Sequence, residues 1–493
     1  MKMQLTAVLL AAATPLAACA GAPDALRRDM AAAIAGSGLG GAKVSVSVRD
    51  MRTGQVLAEV DGSRPMVPAS NMKVLTTGAA LHVLGPDFVF RTRLVRQGDR
   101  LTVVGDGDPS LGDPALVGLL THTDAQGNRR PLASPEELID IWAGAAKRAG
   151  VVTVSEVVAD DRVFDRQFTH PLWPADQLDD SYCARVSGIA FHENLVGAVL
   201  RAAGGRASVA QWQPEAPWLQ ADPGKSSANP KGKQTIGILR TQDPNRFVLS
   251  GNLQAAGADP VPICVQDVPA FVAQYVGSRL ARAGITVGAC RVASAADPVP
   301  GTEQVGPALT MPLAQVVKRC NEESQNMYAE ALLKRIGAAR TRQPGSWANG
   351  IAALRASIDE RLGTGASAAY AGSDGSGLSR ENRVSANLLT AWIQSIAADP
   401  KLGEVFLTSL AEGGREGTVK KRFKGLDPAK ARVQCKTGYI NGVSCLSGCV
   451  GPASGAPRYA FSVLCNDLAG VKDGVVKAKA LQDRVALILA AQP

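Results

Sequence analysis

The chain has 493 residues, of which 46% are hydrophobic and 20% charged. It is too long for one ordinary core and has the balance of a soluble globular protein of two or three domains. Its formal charge of +9 is spread along the chain. No basic run carries interleaved aromatics, so the sequence gives no support to a nucleic-acid partner, although a basic surface also suits an acidic polymer.

In chain order, Lys2 precedes an apolar run from Leu5 to Leu16, too short to span a bilayer and shaped like the core of an export signal over residues 1–20. Ala18-Cys19-Ala20 fits a small-x-small cleavage pattern. Leu16-Ala17-Ala18-Cys19 fits a bacterial lipobox somewhat better, with Cys19 as a possible lipid anchor to the membrane. Either exit exports the body of the protein, which is expected in the periplasm. Eight further cysteines (183, 264, 290, 320, 435, 445, 449 and 465) form an even set that permits disulfides. Cys264 with Cys290, and pairs among the last four, are the expected partners. The four histidines do not cluster with cysteines at ligand spacing, so no metal is expected.

Residues 42–49 alternate as a strand and pair back through Gln55–Val60. A helix is predicted from Ser70 to Leu84, with Met72, Leu75, Ala79 and Val83 at helical spacing and Gly85-Pro86 as its stop. Two strands fill Phe88 to Val104. The Asp/Gly-rich turn Gly105–Leu111 lacks the later ligands of a calcium loop. Ser134-Pro135-Glu136-Glu137 reads as a capping box opening a helix to about Ala149, and Val151–Ala159 as a strand. From about Asp160 to Pro262 the chain is rich in Gly, Pro, Asn and Gln, with short strands at 195–201, 235–239 and 247–250. It reads as an inserted β-rich region. A helix at Asp267–Ala283 and a strand from Ile285 follow. After Pro300, helices are predicted from Met311, at Ser324–Ile336, Trp347–Leu362 and Ser385–Ile396, then strands at 432–436, 442–450 and 458–464 and a closing helix at Val475–Leu489. The pattern is that of an α/β (α+β) domain split by a long middle insertion.

Three short motifs carry the chemistry. Ser70 and Lys73 share one helix face, so the amine can reach the hydroxyl. A serine needs an adjacent base to act as a nucleophile, and a buried lysine beside other cations can supply one. Ser324-Gln325-Asn326 opens a helix, and Lys436-Thr437-Gly438 ends a strand. Each tripeptide alone is common. Their order, Ser-x-x-Lys, Ser-x-Asn, then Lys-Thr-Gly near the C-terminus, is the signature of penicillin-interacting serine enzymes.

With these motifs the chain resembles the D-alanyl-D-alanine carboxypeptidase/endopeptidase family, the class C low-molecular-mass penicillin-binding proteins. Asp374-Gly-Ser-Gly-Leu-Ser-Arg380, Gly442-Val443-Ser444 and Gly107-Asp-Pro-Ser-Leu111 match it as well, as does the long gap from Lys73 to Ser324. The resemblance implies a β-lactamase-like catalytic domain (21–86 and 303–493) interrupted by two nested insertions, one at 87–160 and 263–302, the other at 161–262. It implies a serine DD-peptidase acting on peptidoglycan stem peptides, acylated by β-lactams and needing no cofactor. Ser70 would be the nucleophile and Lys73 its base. Ser324 and Asn326 would face Lys73, and Lys436 would attract the substrate carboxylate and depress the Lys73 pKa. Thr437, Gly438 and Tyr439 would bind substrate, with the N–H groups of Ser70 and Tyr439 as the oxyanion hole. One departure stands out: the residue after Lys-Thr-Gly is usually Ser or Thr, and here it is Tyr439. A β-lactamase and a non-catalytic wall-binding lipoprotein are the competing readings. The large insertion argues against the first and the complete motif set against the second.

Overall fold

A computed structural model describes residues 22–123, 128–257, 259–301 and 303–492. The expected export signal and Cys19 lie outside these residues. No helix among the described residues is long and apolar enough to cross a membrane.

The sheet that carries Lys436-Thr437-Gly438 is antiparallel and joins the two ends of the sequence. Its strands run in the order Ala411–Glu412, Ala431–Ile440, Val443–Pro452, Tyr459–Asn466, Lys43–Asp50 and Val56–Val60. Both faces are covered. Val46, Val48, Val433 and Val463 pack against helices Ala22–Ala35 and Gly474–Ala490. On the other face Val443, Ala460 and Leu464 pack with Leu75 and Trp392, from helices Met72–Leu84 and Ala386–Ala397. The Val/Ser alternation of the first strand therefore does not mark a solvent face. Ser45 and Ser47 are buried, and the Ser47 hydroxyl shares a 3.0 Å hydrogen bond with Thr390.

The register of this sheet overturns the expected disulfides. All eight cysteines of the described residues are free thiols. Cys435 stands opposite Gly448, one residue from Cys449, and Cys465 opposite Ser444, one residue from Cys445. Because side chains alternate, a one-residue offset sends the two sulfurs to opposite faces, where no bridge can form. Cys435 and Cys465 accordingly lie in one core, Cys445 and Cys449 in the other. Cys264 and Cys290 do not meet either. The first donates to the carbonyls of Asp179 and Asp180, and the second lies against Gly277 of helix Val268–Arg282.

A second sheet is built from the sequence between the motifs. Strands Thr286–Val292, Thr153–Asp160 and Arg100–Val104 run parallel, and Val89–Gln97 extends them antiparallel. Parallel neighbours need a crossover. Helix Pro135–Arg148 supplies the first and helix Val268–Arg282 completes the second. Ser134 caps the former through the Glu137 N–H, but the Glu137 carboxylate turns to the Ala133 N–H and Arg130, so the expected reciprocal box is not completed. Within the second crossover lie two three-stranded sheets. The expected pieces near 195, 237 and 247 are strands there. Arg206–Gln213, Gln220–Ala228 and Val261–Cys264 are additional. Gln220–Ala228 contains Pro223 and Gly224, ordinarily strand breakers, and accommodates them with a register shift between Asp222 and Lys225.

Candidate active site

Ser70 does not open the helix itself. It lies in a 3-10 turn, Ala69–Asn71, and the α-helix begins at Met72. Ala69 has φ 45°, a left-handed conformation that a non-glycine residue holds only when its surroundings fix it. They do so from two sides. A Cβ on Gly377 would stand 1.8 Å from the Ala69 carbonyl oxygen, and one on Gly438 would stand 2.7 Å from that of Pro68. Only glycine lets both backbones press this closely on the nucleophile turn. The Asn71 amide, buried, donates to the Lys436 carbonyl (3.0 Å) and ties strand Ala431–Ile440 to the turn.

Lys73 is fully buried one helical turn on. Its Nζ bonds three oxygens: Ser70 Oγ at 2.9 Å, Asn326 Oδ1 at 2.6 Å and the Ser376 carbonyl at 2.9 Å. The Asn326 amide is held in that orientation because its Nδ2 donates to the Tyr182 carbonyl at 2.9 Å. Ser376 lies in a tight turn with a carboxylate on either side. Glu330 accepts the N–H groups of Gly375 and Ser376 and the Trp347 Nε1–H, all at 2.8 Å. Asp374 accepts those of Gly377 (2.8 Å) and Ser379 (2.6 Å), and Trp173 Nε1–H at 3.0 Å.

Ser324 and Lys436 complete the site in a pairing that differs from the expected one. Ser324 precedes helix Asn326–Thr341 with φ 62°. That backbone turns its Oγ toward Lys436, whose Nζ donates to it at 2.9 Å, while Asn326 alone of the motif reaches Lys73. The Thr437 hydroxyl bonds the Thr418 hydroxyl at 2.8 Å. The Tyr439 side chain is 58% exposed, with Lys479 Nζ 5.9 Å from its ring centre. Above Ser70 opens a cleft of about 450 Å³ bordered by Ser324, Asn326, Tyr182, Leu378, Arg380 and Tyr439.

Burial dominates the electrostatics. It lowers Lys73 to about 8, against a pull upward from Cys320, Glu330 and Asp374. It lowers Lys436 to about 7, with Lys73 adding to the depression. Each amine, where charged, disfavours the charge of the other. As a pair they hold fewer than two protons near neutrality. Burial, with help from Asp374, lifts Glu330 to about 7.

Glu330 is the group that reading the sequence misses. The signal was a charged residue on the inward face of a helix, three residues after Met327 and four before Lys334, all three buried. The eight expected residues all lie at or beside the cleft: Ser70, Lys73 and Asn326 joined by hydrogen bonds, Ser324 and Lys436 joined by another, Gly438 against the turn, and Thr437 and Tyr439 on the same strand as Lys436.

This geometry supports one chemistry. The Asn326 Oδ1 and the Ser376 carbonyl can only accept. A neutral Lys73 amine gives its two hydrogens to them, and its lone pair is left facing the Ser70 hydroxyl. A hydroxyl held against a desolvated amine is the arrangement that a serine nucleophile with a lysine base requires.

Comparison with known proteins gives the family. The model of the D-Ala-D-Ala carboxypeptidase 3 (S13) family matches residues 26–490. A D-alanyl-D-alanine carboxypeptidase of Actinomadura sp. (strain R39) is 30% identical over 512 residues, covering 99% of this chain and 88% of the relative. The D-alanyl-D-alanine carboxypeptidase DacB of Haemophilus influenzae is 25% identical over 89% of this chain and 88% of its own. Among solved structures, penicillin binding protein 4 (dacB) from H. influenzae has the same fold, with a TM-score of 0.70 at 21% identity over 94% of this chain and 98% of that one. The chain belongs to the D-Ala-D-Ala carboxypeptidase 3 (S13) family and is a serine-type peptidase of mixed helix and strand.

Proposed function

We propose that the protein cleaves the D-Ala-D-Ala bond of peptidoglycan stem peptides, and cross-link bonds of the same chemistry, through an acyl-enzyme on Ser70. The observation that carries this is the lone-pair geometry of Lys73, set by two acceptor-only partners. Ser70 Oγ bonds to the substrate carbonyl carbon as its proton passes to Lys73. The N–H groups of Ser70 and Tyr439 take the developing oxyanion. The C–N bond then breaks, and the leaving amine receives a proton from Ser324, which Lys436 replenishes across their 2.9 Å hydrogen bond. Water reverses the sequence and releases the shortened peptide. β-Lactams present the same carbonyl in a ring whose amine cannot diffuse away, and acylate Ser70. A solved structure of the H. influenzae relative is complexed with a β-lactam, which supports this reading.

Lys436 and the Thr437 hydroxyl receive the terminal carboxylate. Tyr439, with no hydroxyl near the backbone, shifts the balance toward endopeptidase action on cross-links. Rates on a pentapeptide and on a cross-linked dimer, with and without Tyr439→Ser, test this. An unchanged ratio refutes it. We read residues 21–86 and 303–493 as the catalytic unit and 87–302 as two nested insertions. The site of action is the periplasm, with Cys19 as a lipid anchor. The primary test is incubation with a fluorescent penicillin followed by intact-mass analysis. One label per chain is expected, and none on Ser70→Ala. Equal labelling of the two sinks the mechanism.

A further inference from the structure

The segment Ser324-Gln325-Asn326 is gripped from outside the turn and helix that carry Ser70 and Lys73. His192, Glu193 and Asn194 have φ values of 54°, 58° and 58°, three consecutive left-handed residues. Such a run costs about 1–2 kcal/mol per residue and persists only where its surroundings over-determine it. Here the surroundings are themselves parts of the intervening sequence. The His192 N–H bonds the Leu111 carbonyl (2.9 Å), the Asn194 amide donates to the Arg185 carbonyl (2.7 Å), and the Val265 N–H bonds the Asn194 carbonyl (2.9 Å). This knot presents one oxygen, Glu193 Oε1, to the motif. It accepts Gln325 Nε2 at 2.8 Å and Arg319 Nη2 at 3.0 Å. Arg319 in turn donates through Nε to the buried Asp113 at 2.9 Å, on which the Tyr328 hydroxyl also converges.

Gln325 therefore has its side chain pinned to the insertion while its neighbours serve the site: Ser324 behind it, in a left-handed conformation, and Asn326 ahead of it. Without the pin, Ser324 would relax toward ordinary backbone angles and its Oγ would leave Lys436. We propose that Glu193 is a positioning residue for the Ser-x-Asn motif, and that through it the inserted region sets the geometry of Ser324 against Lys436 and of Asn326 against Lys73. The proposal rests on Ser324 and Asn326 acting as described above. It gives the insertion a part in the chemistry as well as in the shape of the cleft.

The test compares Glu193→Ala with Glu193→Gln in the full chain. Glu193→Ala lowers the second-order rate of labelling by fluorescent penicillin, and turnover of a D-Ala-D-Ala peptide, by about ten- to a hundredfold, the cost of an ångström-scale misplacement. Glu193→Gln keeps an acceptor oxygen for Gln325 and recovers most of that loss. Gln325→Met, which leaves no buried charge unpaired, reproduces the loss should Glu193→Ala fail to fold. Glu156→Gln, in a remote ion-pair cluster with Arg100 and Arg291, is the control for loss of ion pairing and keeps the parent rate. Rates are referred to the fraction of folded chain. A folded Glu193→Ala or Gln325→Met at the parent rate overturns the proposal, as does a Glu193→Gln as slow as the alanine variant. Ser324→Ala at the parent rate would instead overturn the reading beneath it, and the proposal with it.

Discussion

The two walls of the cleft hold their catalytic groups by different means. The wall with Ser70, Lys73 and the 374–378 turn is held largely by its own neighbours, although Trp173 of the intervening sequence donates to Asp374. Two glycines press backbone on backbone, and two buried carboxylates take nearly every donor of the turn. The wall with Ser324 and Asn326 is borrowed. Asn326 is oriented by the Tyr182 carbonyl and Gln325 by Glu193, both from the sequence between the motifs. Ser70 and Lys73 are thus placed mainly by the sheet, helix and turn around them, whereas Asn326 and Gln325 are oriented by groups of the intervening sequence.

The largest effect that separates the walls comes from the first. Lys73→Ala removes the base and lowers penicillin labelling by about 10²–10⁴-fold, measured by stopped-flow quenching. Gly377→Ala follows. Its Cβ cannot be placed without moving the Ala69 carbonyl, and at φ 85° the residue is strained in any case. A loss of about 1–3 kcal/mol in urea unfolding and of most labelling is expected. A comparable loss of labelling without loss of stability would show the first wall to be as loosely held as the second.

The pH profile sharpens the comparison further. Lys73 acts as a base only when neutral, so labelling rises with pH through about 8. The Glu330 charge favours the ammonium form of Lys73. Glu330→Gln removes it and moves that limb to lower pH, read from labelling rates between pH 5.5 and 9.5. The same depression has a stability sign. Between about pH 8 and 10.5 the unfolded chain holds a proton that folded Lys73 has lost, so this residue makes stability rise with pH across that window. Smallest is Thr418→Val, which deprives the Thr437 hydroxyl of its partner. At about 0.5–1.5 kcal/mol for a hydrogen bond, it raises KM for a carboxylate-terminated peptide severalfold with kcat little changed.

The motif residues were legible because their roles are tied to local spacing. Ser70 and Lys73 share a helix face wherever the helix goes, and the three strand-like runs near the C-terminus announce the sheet that brings Lys436 to them. What depended on tertiary register was not legible. Ser324 reads as a partner of Lys73 until its left-handed backbone is known, and then it belongs to Lys436. The cysteines read as bridges until single-residue offsets place them on opposite faces. Nothing in the sequence singles out Glu330, because its role depends on the 374–378 turn whose N–H groups it accepts. Strand Gln220–Ala228 was hidden by its own Pro and Gly.

The order of strands in the first sheet has a consequence for the timing of synthesis. Lys43–Asp50 pairs with Tyr459–Asn466, with Val46 opposite Val463. A chain emerging from the ribosome has made Ser70 early, yet it cannot close the sheet beneath that serine until nearly all of the sequence exists. The intervening region, whose pairings are mostly internal, is free to fold first. On the nascent chain Ser70 therefore waits for a sheet that closes only when strand Tyr459–Asn466 has been made.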